Sequence, residues 1–412
     1  MISATLPENE WSSMSDYSKN VGMGGRTLRI LGVGFLILIF VASALPFDNT
    51  GAPPPTPQEP VGNAAHPAVP AGGTPVNITG TYVHPSGLFS VPTVAGWELP
   101  GESPEESIAA TPDQPITRAG AVFVNVSAAS VVHVFVEDNP AISLSDLDGL
   151  QAYYTPEQVG AAWTQYNGGW REIGRRVVDD TLIIDTEMTH EGLVYLGRQF
   201  SRLQERWLMV MRLVVPINNP SLLERLQATY QPYFYLWQTS INAPMHWRTL
   251  ADTLSGYLIR FPNTWMQEDG RAGAPYTISG ELDGRTYRLN VRALPSVSVA
   301  DEEAARAWIA QNYPRSTIQS VQPETRGAFS GYTLSFLAPD PDGNQRSLTA
   351  TLINGQSALY VAVLQTFAEG RDLLGPNDGS ISPELFRIRQ TFTPIRLAPI
   401  ALQPTPTPTP AG

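Results

Sequence analysis

A chain of 412 residues has room for two or three domains, and 42% apolar content beside 37 prolines points to folded cores separated by proline-rich segments. With no cysteine, disulfides, cysteine nucleophiles, thiolate metal sites and a lipidated cysteine are excluded. The net charge is −12, and beyond residue 47 the chain carries 23 arginines against 35 acids, a balance that repels phosphate backbones and argues against nucleic acid as a partner.

Residues 1–27 read as a cytoplasmic head and residues 28–47 as a transmembrane anchor or signal segment. Ile30 to Leu45 contains no charge. As a helix it spans roughly 24 Å, slightly less than the roughly 30 Å hydrocarbon core, with Arg29 able to snorkel at one end. Lys19, Arg26 and Arg29 precede it, and no base follows until Arg118. The positive-inside rule then puts the N-terminus in the cytoplasm and the rest outside. Ala42-Ser43-Ala44 is a small-x-small triplet of the kind signal peptidase cleaves, so cleavage after Ala44 would give a secreted form. A start at Met23 would make the segment resemble an ordinary cleavable signal, whereas the 29 residues that precede Ile30 favour an uncleaved anchor.

Residues 48–80 form a proline-rich linker with almost no charge and no periodicity. In polyproline II it would reach on the order of 100 Å. Residues 398–412 form a proline/threonine tail of the same kind.

Between these tracts the sequence repeats, predicting a first domain at 81–244 and a second at 245–397. Ser86-Gly87-Leu88-Phe89-Ser90-Val91-Pro92, leading to Trp97, corresponds to Ser255-Gly256-Tyr257-Leu258-Ile259-Arg260-Phe261-Pro262, leading to Trp265. Leu223 through Pro232 aligns without gaps on Leu385 through Pro394, both reading L-x-R-[L/I]-x-x-T-[Y/F]-x-P. Leu223, Leu226 and Tyr230 share one helical face, as do Leu385, Ile388 and Phe392, and a proline ends each helix.

Earlier helices are expected from Pro156 to about Asn167 and from Asp301 to about Tyr313, the second capped by Asp301. Each is followed by a three-strand meander, at Thr181–Met188, Leu193–Ser201 and Trp207–Val215, then at Tyr332–Leu337, Ser347–Leu352 and Ala358–Gln365. A hairpin across Asp283-Gly284 joins Tyr276–Glu281 to Arg285–Ala293, because both turn residues tolerate positive φ. Its counterparts are Ala121–Val126 and Val131–Val136. The predicted class is α+β, with two similar domains that are each an antiparallel sheet flanked by helices.

This order resembles the PsbP-like domain of the extrinsic oxygen-evolving-enhancer proteins and related exported bacterial domains. The resemblance rests on Ser255 through Trp265 and Leu385 through Phe392, with Ser86 through Trp97 and Leu223 through Tyr230 as the earlier copy. It implies an α/β/α sandwich, a largely non-catalytic role and docking on partner proteins. A photosynthetic role does not follow from packing positions such as these.

No residue reads as catalytic, cofactor-binding or metal-ligating. The five histidines, His66, His84, His133, His190 and His246, show no i, i+2 or i, i+4 pairing. His133 is expected to be a satisfied structural residue on the face opposite Val132, Val134 and Val136, and His190 to lie in a solvated turn. Asp340 through Asn344 reads as a turn that lacks a downstream bidentate calcium ligand. Glu137-Asp138-Asn139, Asp146 and Asp148, with Glu102, Glu105 and Glu106, read as solvated loops or as a weak surface for a cation or a basic partner. Trp97, Trp163, Trp265 and Trp308 recur at matched places and read as packing. Trp237 reads as burial where the copies meet, or as an exposed aromatic patch for a partner, glycan or lipid.

The functional expectation is a non-catalytic, membrane-tethered extracytoplasmic docking module with no cofactor, whose partner is an unidentified envelope or extracellular protein. The alternatives are an extracytoplasmic hydrolase or transferase using dispersed acids, and a structural protein of an envelope assembly.

Overall fold

The computed structural model describes residues 75–99, 111–138, 147–164, 169–190, 192–340, 343–355, 357–366, 372–374 and 382–398. The predicted membrane segment, nearly all of the spacer, and the tail beyond residue 398 lie outside them. Among the described residues, no helix is long and apolar enough to cross a membrane. The fold is α+β, with four antiparallel sheets and a few helices.

In the first half, β1 (Ile78–Val83) and β2 (Phe89–Val94) form a hairpin. Then come β3 (Arg118–Asn125), β4 (Ser130–Asp138), α1 (Leu147–Tyr153) and α2 (Pro156–Thr164). A meander follows through β5 (Gly169–Val178), β6 (Thr181–His190), β7 (Leu193–Gln204) and β8 (Trp207–Pro216). Helix α3 (Pro220–Tyr230) and the short β9 (Tyr235–Leu236) close this half. The strands lie in the order β3-β4-β8-β7-β6-β5, and β1-β2-β9 make a separate small sheet.

Strands β4 and β8 carry apolar residues on both sides because both faces of the sheet are covered. In β8, Trp207, Met209, Met211, Leu213 and Val215 pack toward α3 and the small sheet. Leu208, Val210 and Val214 pack toward Leu150 of α1 and Val159 of α2. This period-two alternation with buried residues on each side is what a covered sheet requires. Helix α3 begins with Pro220 in its first turn and buries Leu222, Leu223, Leu226 and Tyr230. Burial of each such side chain stabilises by roughly 1.5–3 kcal/mol.

The second half runs through β10 (Arg248–Asp252), β11 (Tyr257–Phe261), β12 (Met266–Asp269), β13 (Tyr276–Leu282) and β14 (Arg285–Pro295). Helix α4 (Glu302–Asn312) precedes β15 (Thr317–Arg326), β16 (Phe329–Pro339), β17 (Gln345–Asn354) and β18 (Ala358–Thr366). Helix α5 (Pro383–Thr391) and β19 (Thr393–Pro394) end it. Here the strand orders are β12-β13-β14-β18-β17-β16-β15 and β10-β11-β19. Helix α5 and the small sheet cover one face of the large sheet, and α4 covers the other. Asp301 caps α4 by accepting the N–H of Ala304 at 2.8 Å, and Asp283 (φ 52°) and Gly284 (φ 71°) make the predicted hairpin turn.

Each predicted three-strand meander has a fourth strand, β5 or β15, on its outer edge. Both are rich in charged and polar residues, and Pro323 interrupts β15, so neither carries an apolar signature. Edge strands tolerate both features, since one side of their backbone needs no partner. Strand β1 starts at Ile78, inside the stretch read as linker, and Val76 just before it is buried.

Candidate functional site

The two halves meet around Arg260, a charged residue in the otherwise apolar strand Tyr257–Phe261. Its side chain is fully buried. The segment between the halves wraps the guanidinium: Nη1 donates to the Ala243 carbonyl at 3.3 Å, and Nη2 to those of Pro244 at 3.0 Å, Met245 at 3.3 Å and Trp247 at 3.0 Å. Nε donates to Thr249 Oγ1 at 3.2 Å, and Thr249 in turn donates to the Pro85 carbonyl. Burial pushes the Arg260 pKa down to about 10, so it remains a cation at neutral pH. Carbonyl dipoles satisfy the buried charge in place of a carboxylate.

Other contacts close the same junction. Trp237 packs with Leu258 and Ile395, and its Nε1 lies 3.4 Å from Ser90 Oγ. This is the burial reading of Trp237, not the exposed patch. Met245 N–H donates to Gln114 O at 2.9 Å. Beyond β19 the chain returns across the first half, where Arg396 Nη1 donates to Pro232 O at 3.2 Å and Ala398 N–H to Thr81 Oγ1 at 3.0 Å.

A surface groove of about 290 Å³ opens beside this junction. Gln238, Thr239, Asn242 and Ala243 line one wall, and Arg326, Arg387, Gln390 and Thr391 the other. Arg387 and Gln390 are exposed, whereas Arg326 is only 7% exposed. Arg326 Nε donates to Phe392 O at 3.2 Å, and Nη1 donates to Glu324 and to Thr325 O. Its Nη2 is buried and meets no acceptor among the described residues. Arg389 stands nearby, its pKa lowered by burial, with Glu324 and Arg326 acting on it in opposite senses.

No protein-family model matches the chain, and no curated protein matches it in sequence. Among solved structures, the chain is similar to the immunity protein TplEi of T6SS from Pseudomonas aeruginosa, complexed with "L" peptide. Identity is 7%, coverage 76% of this chain and 96% of that one, and the TM-score 0.20. A second match, DynU16 from the dynemicin biosynthetic locus, has 10% identity, 66% and 79% coverage and a TM-score of 0.13.

The histidines divide by environment. His84 is fully buried and stacks on Phe89. Its Nε2 donates to Gly120 O at 3.1 Å, so Nδ1 is the acceptor for the hydroxyl of Ser86 at 2.7 Å and for its N–H at 3.1 Å. Burial holds its pKa at about 3, with the Arg260 charge adding to the effect. His133 is also fully buried, opposite Val132, Val134 and Val136 as expected, and pairs across the sheet with Arg212. Burial and then the charges of Arg212 and Arg118 push it well below the ordinary histidine value. A general base near neutral pH needs a proton-accepting nitrogen within reach of substrate, and neither enclosed ring offers one. His190 ends β6 and is half-buried, while His246 Nδ1 lies 3.2 Å from Asp113 at the surface. His66 lies outside the described residues.

The acidic candidates are held apart. Asp340 accepts the N–H of Asn344 at 2.8 Å and Nε of Arg346 at 2.9 Å, as a turn residue would. Glu137 faces Arg118 at 3.9 Å, and Asp138 pairs with Arg206. Asp148 sits in the first turn of α1. Glu102, Glu105, Glu106, Asn139 and Asp146 lie outside the described residues. Among those described, no three His, Asp or Glu gather as a metal-binding group. Trp265 and Trp308 are buried and Trp97 half-buried, while the side chain of Trp163 is not among those described.

No motif in the sequence marks Arg260, Arg326 or Arg387. Arg260 did carry a signal, a lone charge in a run of apolar strand residues. The other two lie in polar surroundings where arginine is ordinary.

Proposed function

We propose that this chain is a non-catalytic docking module, tethered by its N-terminal apolar segment, that presents two copies of a PsbP-like domain outside the membrane. The duplication is supported by strand order. With β12 set aside, β13-β14-β18-β17-β16-β15 follows the same path as β3-β4-β8-β7-β6-β5, and β10-β11-β19 the same path as β1-β2-β9.

The observation that most favours docking is the closed junction. Arg260, Trp237 and the returning residues 395–398 hold the halves in one arrangement, so two sheets are offered to a partner without the entropy cost of ordering a hinge. The hydrolase reading needs carboxylates facing one another in a cleft, and the junction groove is lined by arginines, amides and hydroxyls.

Two experiments test this. A reporter fused after Gly73 is expected to be active only outside the cytoplasm, and cytoplasmic activity would reject the placement. The immobilised full-length protein is expected to capture one envelope protein saturably. Failure to retain any saturable partner at low salt, together with self-association of the purified chain, would replace docking with a structural role.

A further inference from the structure

Charge in the junction groove runs against the net charge of the chain. The protein is strongly acidic, yet both charged residues lining this groove are arginines. Arg326 is more than nine-tenths buried and has an Nη2 with no acceptor among the described residues. Leaving a buried cationic N–H unmet is costly, and the cost is recovered when the guanidinium turns to meet an acceptor in the groove. Arg387 is exposed on the same wall, where it can close over a bound group. The amides of Gln238, Asn242 and Gln390 add neutral donors and acceptors of the kind that hold a peptide backbone.

We infer that the groove is a carboxylate site, taking an acidic side chain or chain terminus of a docked polypeptide between Arg326 and Arg387. The inference rests on the docking reading and names the chemistry of the partner. The local balance selects a monoanion. Arg326, Arg387 and Arg389 stand against Glu324 and Glu384, leaving one net positive charge around the groove. A phosphate dianion would meet repulsion from Glu324, whose carboxylate already occupies Nη1 of Arg326. A carboxylate needs only that remaining N–H of Arg326, turned toward the groove, and the exposed guanidinium of Arg387. A groove of about 290 Å³ holds one side chain with its flanking backbone.

The test titrates full-length protein with a short glutamate-rich peptide, its glutamine counterpart and inorganic phosphate. Saturable binding of the acidic peptide is expected, weakened at least tenfold by Arg387→Ala at the surface and by Arg326→Gln in the wall. The glutamine peptide should not compete. Arg387→Lys should restore part of the affinity, since charge is kept while the planar fork is lost. Equal binding of the glutamine peptide, unchanged affinity in Arg387→Ala, or absence of binding overturns the carboxylate site. Stronger competition by phosphate than by the acidic peptide also overturns it, in favour of a phosphorylated ligand. Arg387→Ala is an exposed change that leaves the core intact, so the test does not depend on Arg326→Gln folding. Capture of an envelope partner that survives Arg387→Ala would sink the groove while leaving docking standing. Loss of capture by the unmutated chain would sink docking itself.

Discussion

Thr391 Oγ1 accepts the backbone N–H of Arg260 at 2.9 Å, fastening the last turn of α5 to the strand that carries the junction arginine. The aligned residue Thr229 accepts the N–H of Val76 at 2.9 Å, fastening α3 to the chain entering β1. Both threonines are buried. Thr391→Val keeps the shape and removes the acceptor, leaving a buried N–H unmet. Urea unfolding is expected to show a loss of about 1–3 kcal/mol. An unchanged midpoint would mean that the contact contributes nothing.

Arg260 serves five acceptors between residues 243 and 249. Arg260→Met should strand the carbonyls of Ala243, Pro244, Met245 and Trp247 in a dry site. Limited proteolysis is expected to cut this segment far faster in the variant, releasing the two halves as fragments. Cleavage at the wild-type rate would show that hydrophobic packing around Trp237 suffices by itself.

His84 gives a pH signature. Its folded pKa of about 3 lies below the roughly 6.5 of an unfolded histidine. On acidification the unfolded chain takes the proton first, so this contribution to stability is complete above about pH 6.5 and disappears as pH falls toward 3. His84→Gln keeps a donor for Gly120 O and removes the titration. In denaturation series across that window, the variant should lose stability less steeply than wild type, by up to about 1.4 kcal/mol per pH unit. Parallel curves would contradict the neutral, buried ring.

Trp265 lies flat against Tyr287, with ring centroids 6.2 Å apart and planes within 5°. Gly280 makes room for the indole, since a Cβ there would stand 2.2 Å from Trp265 Cδ1. Gly280→Ala should displace the ring and cost about 1–3 kcal/mol. Both a lower thermal midpoint and red-shifted tryptophan emission are expected. A variant as stable as wild type would show that the indole can move aside freely.

Much of the fold was legible because its signals are local. Val131–Val136 alternates toward two covered faces, Asp283-Gly284 accepts positive φ, and Leu385, Ile388 and Phe392 recur at helical spacing. Strands β5 and β15 escaped because edge strands need no apolar face, and Pro323 is a feature that sequence reasoning counts against a strand. The groove escaped altogether. It gathers residues 238–243, 326 and 387–391, none conspicuous in its own neighbourhood.

What the sequence determined by itself was composition, the α+β class and the faces along which helices and strands bury their side chains. Those features depend on residues within a few positions of one another. Folding in three dimensions is what surrounds Arg260 with backbone carbonyls, holds His84 neutral and leaves Arg326 with one N–H that meets no acceptor among the described residues. Each depends on groups brought together from distant stretches of chain, and the energy of a buried charge is set by what surrounds it in space.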